Sequence, residues 1–141
     1  MIPVRQATCV AIGGRAVLIE GPPGSGKSSL ALALIDRGAL LVGDDGVMLE
    51  ARGDSLFARP NPNTRGLIEV RNLGLLESPV CEEAAVALLV RLDEAAPRHI
   101  EQADRVDILG VPLPMLRLWP GSPVQHLKLE LALDRFGLSP G

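Results

Sequence analysis

The segment that most constrains this chain is an uninterrupted stretch, GPPGSGKS, at residues 21–28. It satisfies the pattern G-x-x-x-x-G-K-S in full. Glycines allow backbone angles that a Cβ would forbid, and they let the loop approach a ligand closely. The segment consists of Gly21, Pro22, Pro23, Gly24, Ser25, Gly26, Lys27 and Ser28. Apolar residues precede it at 16–19, and a run rich in leucine and alanine follows at 29–37. We therefore predict a strand, a phosphate-binding loop and a helix, with a purely structural glycine turn as the alternative.

Two side chains of this segment have predicted roles in binding a nucleotide. Lys27 is expected to reach the β- and γ-phosphates, and Ser28 is expected to bind Mg²⁺. The N–H groups that open the following helix add a favourable site for anions. Lys27 and Lys128 are the only lysines in the sequence. A rare lysine inside a phosphate-binding pattern strengthens the prediction of a nucleotide site.

A pair of acidic residues, Asp44 and Asp45, follows a short apolar run at 40–42. Ligands of open α/β sheets bind outside the carboxyl ends of the strands, so this pair is expected to face the phosphate-binding loop. One carboxylate can hold Mg²⁺, and the other can take a proton from an attacking hydroxyl. The alternative is an Asp-Gly turn, for which the flanking glycines are suited. The spacing after the loop favours the functional interpretation.

Two further charged residues are candidates for the site. Glu69 lies in the apolar segment GLIEVRNLG, where Leu67, Glu69 and Arg71 alternate onto one face of a strand. That face can equally be a solvent-exposed one. Arg98 lies in a predicted loop, where an isolated arginine is usually a surface residue.

Charge and composition exclude several classes of function. The net charge of −3 provides no excess of positive charge for a nucleic-acid backbone or an anionic membrane. No apolar run reaches the roughly 18 residues that span a bilayer, and residues 1–14 lack a signal-peptide pattern. Cys9 and Cys81, far apart in sequence, are typical of buried thiols in a reducing compartment. We expect a cytoplasmic protein with no nucleic-acid or membrane partner.

At 141 residues the chain has the length of one domain, which we expect to cover residues 1–141. Apolar runs that flank glycine turns predict two β-hairpins, at 7–12 with 16–19 and at 47–49 with 55–58. Further strands are predicted at 40–42 and 67–70, a central strand at 84–92, edge strands within 106–118, loops at 59–65 and 97–102, and a second helix at 124–136. So many hairpins predict an α/β domain with a mixed β-sheet rather than a purely parallel one.

The order of four features resembles the HPr kinase/phosphorylase family. These are GPPGSGKS, LVGDDGV, GLIEVRNLG and an arginine after an apolar strand. The resemblance covers approximately residues 6–116 and is to the short form, which has only the catalytic domain. It implies an ATP- and Mg²⁺-dependent kinase that phosphorylates a serine of an HPr-type phosphocarrier protein, and it leaves the reverse reaction with inorganic phosphate open. It also implies a P-loop fold similar to the nucleotide-binding domain of phosphoenolpyruvate carboxykinase, and a homo-oligomer, a hexamer.

The resemblance assigns roles residue by residue. Asp45 matches the base for phosphorylation, which is also the acid for the reverse step, and Asp44 is the second choice. Glu69 matches a metal-associated glutamate, so the expected metal ligands are Ser28, Asp44 and Glu69. Arg98 matches an active-site arginine that handles the phosphorylated serine.

Three positions depart from the family pattern. Gln6 stands in place of a histidine and cannot carry a proton or a positive charge. Asn72 stands in place of a glycine, and Pro23 removes one backbone N–H from the loop. Two alternatives therefore stay open beside the kinase. One is a nucleotide-binding regulatory module with weak catalysis, and the other is a small P-loop kinase that acts on a metabolite.

Overall fold

The structure is a computed structural model that describes residues 3–139 of the chain. Eleven strands and two helices follow one another along these residues. The strands are β1 (Val4–Arg5), β2 (Thr8–Ile12), β3 (Arg15–Glu20), β4 (Leu40–Gly43), β5 (Val47–Arg52), β6 (Ser55–Pro60), β7 (Leu67–Val70), β8 (Gly74–Glu77), β9 (Ala84–Leu92), β10 (Asp104–Ile108) and β11 (Val111–Leu118). The helices are α1 (Lys27–Asp36) and α2 (Gln125–Phe136).

The predicted central strand, β9, organises a nine-stranded mixed sheet. It pairs in parallel with β3 along one side. On its other side it pairs antiparallel with β6 at its start and parallel with β11 at its end. Both predicted hairpins are also present, as β2 with β3 and β5 with β6. Because parallel and antiparallel pairs occur in one sheet, the prediction of an α/β domain with a mixed sheet is confirmed.

The two faces of this sheet carry separate hydrophobic cores. Alternation along β3 sends Ala16 and Leu18 to one face and Val17 and Ile19 to the other. The second face packs against both helices, including the buried Leu34 of α1. The first face is covered by the sheet itself, since side chains of β5, β6, β10 and β11 join the same cluster. Burial on both faces explains why β9 is a nearly continuous apolar run.

A separate two-stranded sheet, β7 with β8, lies beside α1. Ile68 of β7 is buried in the core that holds α1, whereas all four residues of β8 are exposed. This small sheet brings the segment around Glu69 to the start of α1.

Several boundaries differ from the predicted ones for physical reasons. Helix α1 begins at Lys27, two residues inside the loop pattern, and ends before Gly38, whose φ of 107° favours glycine. Strand β6 continues through Pro60, which shortens the predicted loop. The segment 106–118 forms a hairpin with one long second strand, β11. Its two prolines, Pro112 and Pro114, lie opposite β10, in the part of β11 that precedes the pairing with β9 at Met115. The other side of this part is an edge of the sheet, where a missing backbone N–H is tolerated.

Two further findings concern the chain as a whole. Within residues 3–139, no helix is long and apolar enough to cross a membrane. The prediction of a single domain covers positions 1, 2, 140 and 141, which lie outside the described residues, and it stays a prediction.

Candidate active site

The loop between β3 and α1 has the backbone geometry of an anion-binding site. Gly24 and Gly26 have φ angles of 80° and 97°, values that side chains rarely adopt. The first hydrogen bond of α1 is donated by the N–H of Leu30 to the carbonyl of Gly26, at 2.9 Å. The N–H groups at positions 27–29 precede this bond and point out of the helix end. Backbone donors and the positive end of the helix dipole therefore converge on the loop.

Close packing fixes the position where the loop begins. A Cβ built on Gly21 would lie 2.6 Å from the Ser25 hydroxyl oxygen and 3.2 Å from the backbone oxygen of Leu92. The first glycine of the motif is therefore required by space, because the loop passes directly over the end of β9.

The ammonium group of Lys27 lies over the same loop. Its Nζ donates a hydrogen bond to the carbonyl of Gly21 at 2.7 Å, and it lies 3.5 Å from the carbonyl of Pro22. The cation is thus held at the loop by neutral carbonyl groups, without a carboxylate partner in the described residues. A phosphate oxygen is a stronger partner for an ammonium than a carbonyl.

Asp44 is the hub that joins four elements of the site. Its side chain is buried, with 6% of its surface exposed. One carboxylate oxygen, Oδ1, accepts from the Ser28 hydroxyl at 2.8 Å and from the Thr8 hydroxyl at 3.1 Å. The other, Oδ2, accepts from the backbone N–H of Glu69 at 2.9 Å. The structure thus brings Asp44 to the loop through Ser28, and Thr8 is a residue of the candidate site that the sequence did not indicate.

Asp45 differs from Asp44 in backbone conformation, exposure and contacts. It has a φ of 60°, its side chain is exposed, and it has no hydrogen-bond or ion-pair partner within residues 3–139. The turn is tight, since a Cβ on Gly43 would lie 2.4 Å from the carbonyl oxygen of Gly46. The Asp-Gly turn and the functional interpretation are therefore compatible, with one carboxylate fixed and the other open to solvent.

Glu69 and Arg71 line a small cleft of about 230 Å³ together with Lys27, Ser28 and the tip of the loop. The guanidinium of Arg71 lies close to the loop: a Cβ built on Gly24 would be 3.7 Å from its Nη2. The sequence predicted that Arg71 shares one face with Glu69 and left open whether that face is solvent-exposed. Both side chains are exposed, and both line this cleft.

Arg98 is the predicted site residue that the structure does not bring to the loop. It is exposed, in the segment between β9 and β10, and it does not line either cleft beside the loop in the described part of the chain.

The residues near Ser28 fit a hard divalent cation. Residues 3–139 contain no cluster of three or more His, Cys, Asp or Glu side chains suited to a metal ion. The available donors are the Ser28 hydroxyl, the Asp44 carboxylate and the exposed Glu69 carboxylate on the same cleft. Such a sparse set of oxygen donors suits Mg²⁺, which retains water molecules and is usually held by one or two carboxylates plus substrate phosphates.

A larger cleft of about 1130 Å³ lies beside the same loop. It is bounded by the loop, the side of α1, the end of β9 and the start of α2. At its rim, Glu20 accepts hydrogen bonds from Arg5 and Arg91, the latter at 3.3 Å. These ion pairs hold the Glu20 carboxylate where the chain enters the loop, and Asp93 and Glu94 add negative charge to the same cleft.

Comparison with known proteins identifies the family. The sequence model of the HPr Serine kinase C-terminal domain matches residues 4–119. The chain belongs to this family. The matched residues include the loop, both aspartates and the Glu69–Arg71 strand, and they end before α2. The family that the motifs indicated is therefore confirmed.

Two similar proteins have the same name, HPr kinase/phosphorylase. An HPr kinase/phosphorylase from Mycoplasma mycoides subsp. mycoides SC is 32% identical over 137 residues, covering 92% of this chain and 42% of the relative. One from Chloroherpeton thalassium is 33% identical over 146 residues, with the same coverage. The chain thus spans 42% of the length of these two relatives.

A solved structure is similar over nearly the whole chain. The Hpr(Ser) kinase/phosphatase from Coxiella burnetii matches with a TM-score of 0.83 and 26% identity, covering 94% of each chain. This match confirms the mixed α/β fold. The expected similarity to phosphoenolpyruvate carboxykinase stays a prediction.

Proposed function

We propose that this chain is an ATP- and Mg²⁺-dependent kinase that phosphorylates a serine of an HPr-type phosphocarrier protein. The observation that carries the proposal is the hydrogen bond between Ser28 and Asp44 at the start of α1. It joins the last residue of the phosphate-binding loop to the buried carboxylate after β4, as a nucleotide–metal site requires. The names of the relatives, HPr kinase/phosphorylase, support the choice of substrate.

The loop binds and orients the phosphates. Backbone N–H groups at the start of α1 bind phosphate oxygens, and Lys27 exchanges its carbonyl partners for the β- and γ-phosphates. Ser28, Asp44 and Glu69 would hold Mg²⁺, which neutralises phosphate charge when it is bound. Arg71, beside Gly24 in the small cleft, is a further cation for the transferred group.

Asp45 is the better of the two aspartates for accepting the proton of the serine hydroxyl. Asp44 already accepts three hydrogen bonds, and a proton on it would break the contact with Ser28 or with Glu69. Asp45 has an exposed carboxylate on the same turn. A role for Arg98 in handling the phosphorylated serine rests on the family resemblance alone.

The departures from the family pattern do not all weaken catalysis. Asn72 has a φ of 73°, and asparagine is among the few residues that adopt this conformation, so it can replace glycine without a change of backbone. Gln6 lies between Arg5, which bonds to Glu20, and Thr8, which bonds to Asp44. The proposal is restricted to the forward reaction, in which ATP phosphorylates the serine.

The hexamer remains a prediction from the family resemblance, and the cytoplasmic location remains a prediction from the composition.

The first test separates the two lysines of the chain. Lys27→Ala should abolish Mg²⁺-dependent binding of ATP in calorimetry, because the cation at the loop is lost. Lys128→Ala is the matched control, since Lys128 is exposed on α2, away from the loop, and it should bind ATP like the unmodified chain. Equal binding by both variants would overturn the nucleotide site.

The second test addresses the base. Asp45→Asn should bind ATP normally and lose phosphate transfer in a single-turnover assay with the phosphocarrier. Full transfer by this variant would contradict the assignment of the base. Loss of ATP binding instead would make Asp45 a metal ligand. Binding without transfer in the unmodified chain would favour the regulatory module.

A further inference from the structure

The hairpin of β7 and β8 exposes apolar side chains that the fold of this chain does not use. Leu73, in its turn, is 71% exposed, and Leu75 and Leu76 of β8 are 66% and 40% exposed. A single exposed leucine is ordinary, but three within four residues form an apolar patch of the kind that marks an interaction site. Packing within residues 3–139 does not explain this leucine patch, because β8 contributes no side chain to either core.

The strand register places the leucine patch at the mouth of the small cleft. Leu75 lies directly opposite Glu69, so the two side chains stand on the same face of the hairpin. Glu69 and Arg71 both line the small cleft. Leu73 follows Arg71 by two residues, in a turn where its N–H donates a hydrogen bond of 3.0 Å to the carbonyl of Val70. Apolar surface therefore continues directly from the wall of the cleft.

Charged groups surround the exposed leucines on this hairpin. Glu69, Arg71 and Glu77 are exposed, and none of them has an ion-pair partner within residues 3–139. An apolar centre with a charged rim is the anatomy of a protein–protein interface. The hairpin thus presents a surface suited to another protein.

The position of the leucine patch decides between two occupants. A second copy of this chain seated there would cover Glu69 and Arg71 and close the small cleft to substrate. The cleft, of about 230 Å³, has room for a serine side chain and a phosphoryl group but not for the protein that carries the serine. That protein must therefore rest on the rim of the cleft, where the leucine patch lies.

We infer that the leucine patch is the docking surface for the protein substrate, and that Leu73 and Leu75 pack against apolar side chains beside its reactive serine. The inference rests on the proposed kinase function and deepens it, because it names the surface that selects the partner. None of the three leucines lines either of the clefts beside the loop in the described part of the chain. Their contribution is therefore to binding of the protein and not to binding of ATP.

The test removes the two most exposed leucines one at a time. In Leu73→Ser and Leu75→Ser, kcat/KM for the phosphocarrier should fall about tenfold, mainly through a higher KM, because each variant loses one leucine side chain that the partner would bury. The affinity for ATP in calorimetry should be unchanged. Both side chains are exposed, so the thermal melts of the variants should match that of the unmodified chain.

Leu109→Ser is the matched control. Leu109 is also a leucine in a hairpin turn, between β10 and β11, and 51% of it is exposed. Strand β11 runs parallel to β9, and β9 runs parallel to β3, which ends at the loop. The turn before β11 therefore lies at the opposite end of the sheet, and Leu109→Ser should keep the kcat/KM of the unmodified chain.

Each other outcome is decisive. Equal kcat/KM values for Leu75→Ser and Leu109→Ser would overturn the inference. Sedimentation velocity adds a second criterion, since a smaller assembly of Leu75→Ser alone would assign the leucine patch to contact between copies and overturn it as well. If the unmodified chain binds ATP but transfers no phosphate to the phosphocarrier, the proposed function is wrong and the docking surface falls with it.

Discussion

Replacing the hub carboxylate by its amide, Asp44→Asn, tests whether Asp44 holds the site together. The substitution leaves the shape of the side chain unchanged. With its oxygen turned to the backbone N–H of Glu69, where a bond of 2.9 Å now exists, the amide still accepts that bond, but without a negative charge. Its NH2 group then faces the hydroxyls of Ser28 and Thr8, which must reorient and accept instead of donate.

The magnitude follows from the three bonds. A hydrogen bond to a charged group contributes about 1.5–3 kcal/mol, whereas a neutral one contributes about 0.5–1.5 kcal/mol. The substitution converts three charge-assisted bonds into neutral ones, at a loss of about 1 kcal/mol each. We therefore expect a loss of about 2–4 kcal/mol in the free energy of unfolding. For a domain of this length that corresponds to a fall in Tm of about 6–12 °C.

The matched control is the same substitution one residue later. Asp45 is exposed and without partners in the described chain, and asparagine adopts its φ of 60° readily. Asp45→Asn should change the free energy of unfolding by less than about 0.5 kcal/mol. Both variants are measured by urea unfolding and by thermal melts without nucleotide or metal. Equal stabilities of the two variants would refute the assignment of Asp44 as the structural hub.

Three further predictions concern the packing of Gly21, the reactivity of the two thiols and one ion pair. Gly21→Ala should lower stability by about 1–3 kcal/mol in urea unfolding, because its Cβ would press on β9; an unchanged midpoint would contradict this. Burial raises the pKa of the Cys9 thiol, so iodoacetamide at neutral pH should modify the half-buried Cys81 first, which peptide mass mapping checks. A hydrogen bond from Arg52 lowers the pKa of Glu83 below its ordinary value of 4.5, so this pair stabilises the fold above that pH. The stability difference between the unmodified chain and Arg52→Met should shrink as the pH falls below it, and a constant difference would speak against the pair.

The parts of the fold that local sequence determines could be predicted. The loop and α1 follow from a contiguous motif, and β9 follows from nine residues that are almost all apolar. The hairpin turns follow from paired glycines and aspartates. The order of strands could not be predicted, because β9 pairs with two different strands on one side, and this depends on how the sheet curls.

The weakest elements were missed for a related reason. Strand β1 has two residues, and β8 is exposed along its length, with 66% of Leu75 accessible. Neither segment shows the alternation that burial on one face produces. Both exist because a neighbouring strand offers a partner, which is long-range information.

The residues of the candidate site were easier to predict than their contacts. The motif spacing indicated Ser28 and Asp44, the family resemblance indicated Glu69, and the structure brings the three together. It could not indicate that Glu69 contributes its backbone N–H to Asp44, or that Thr8 joins them, because these partners lie 25 and 36 residues from Asp44 along the chain. The sequence left open whether Arg71 faces solvent or the site, because the loop that it approaches is distant along the chain.

The most direct test of the proposed kinase is the mass of its substrate. An HPr-type phosphocarrier from the same genome is incubated with the chain, ATP and Mg²⁺, and its intact mass and fragments are measured. The account predicts a gain of one phosphate on a serine, which is absent when the Lys27→Ala variant replaces the unmodified chain. An unchanged mass, with ATP binding confirmed in the same sample, would contradict the account.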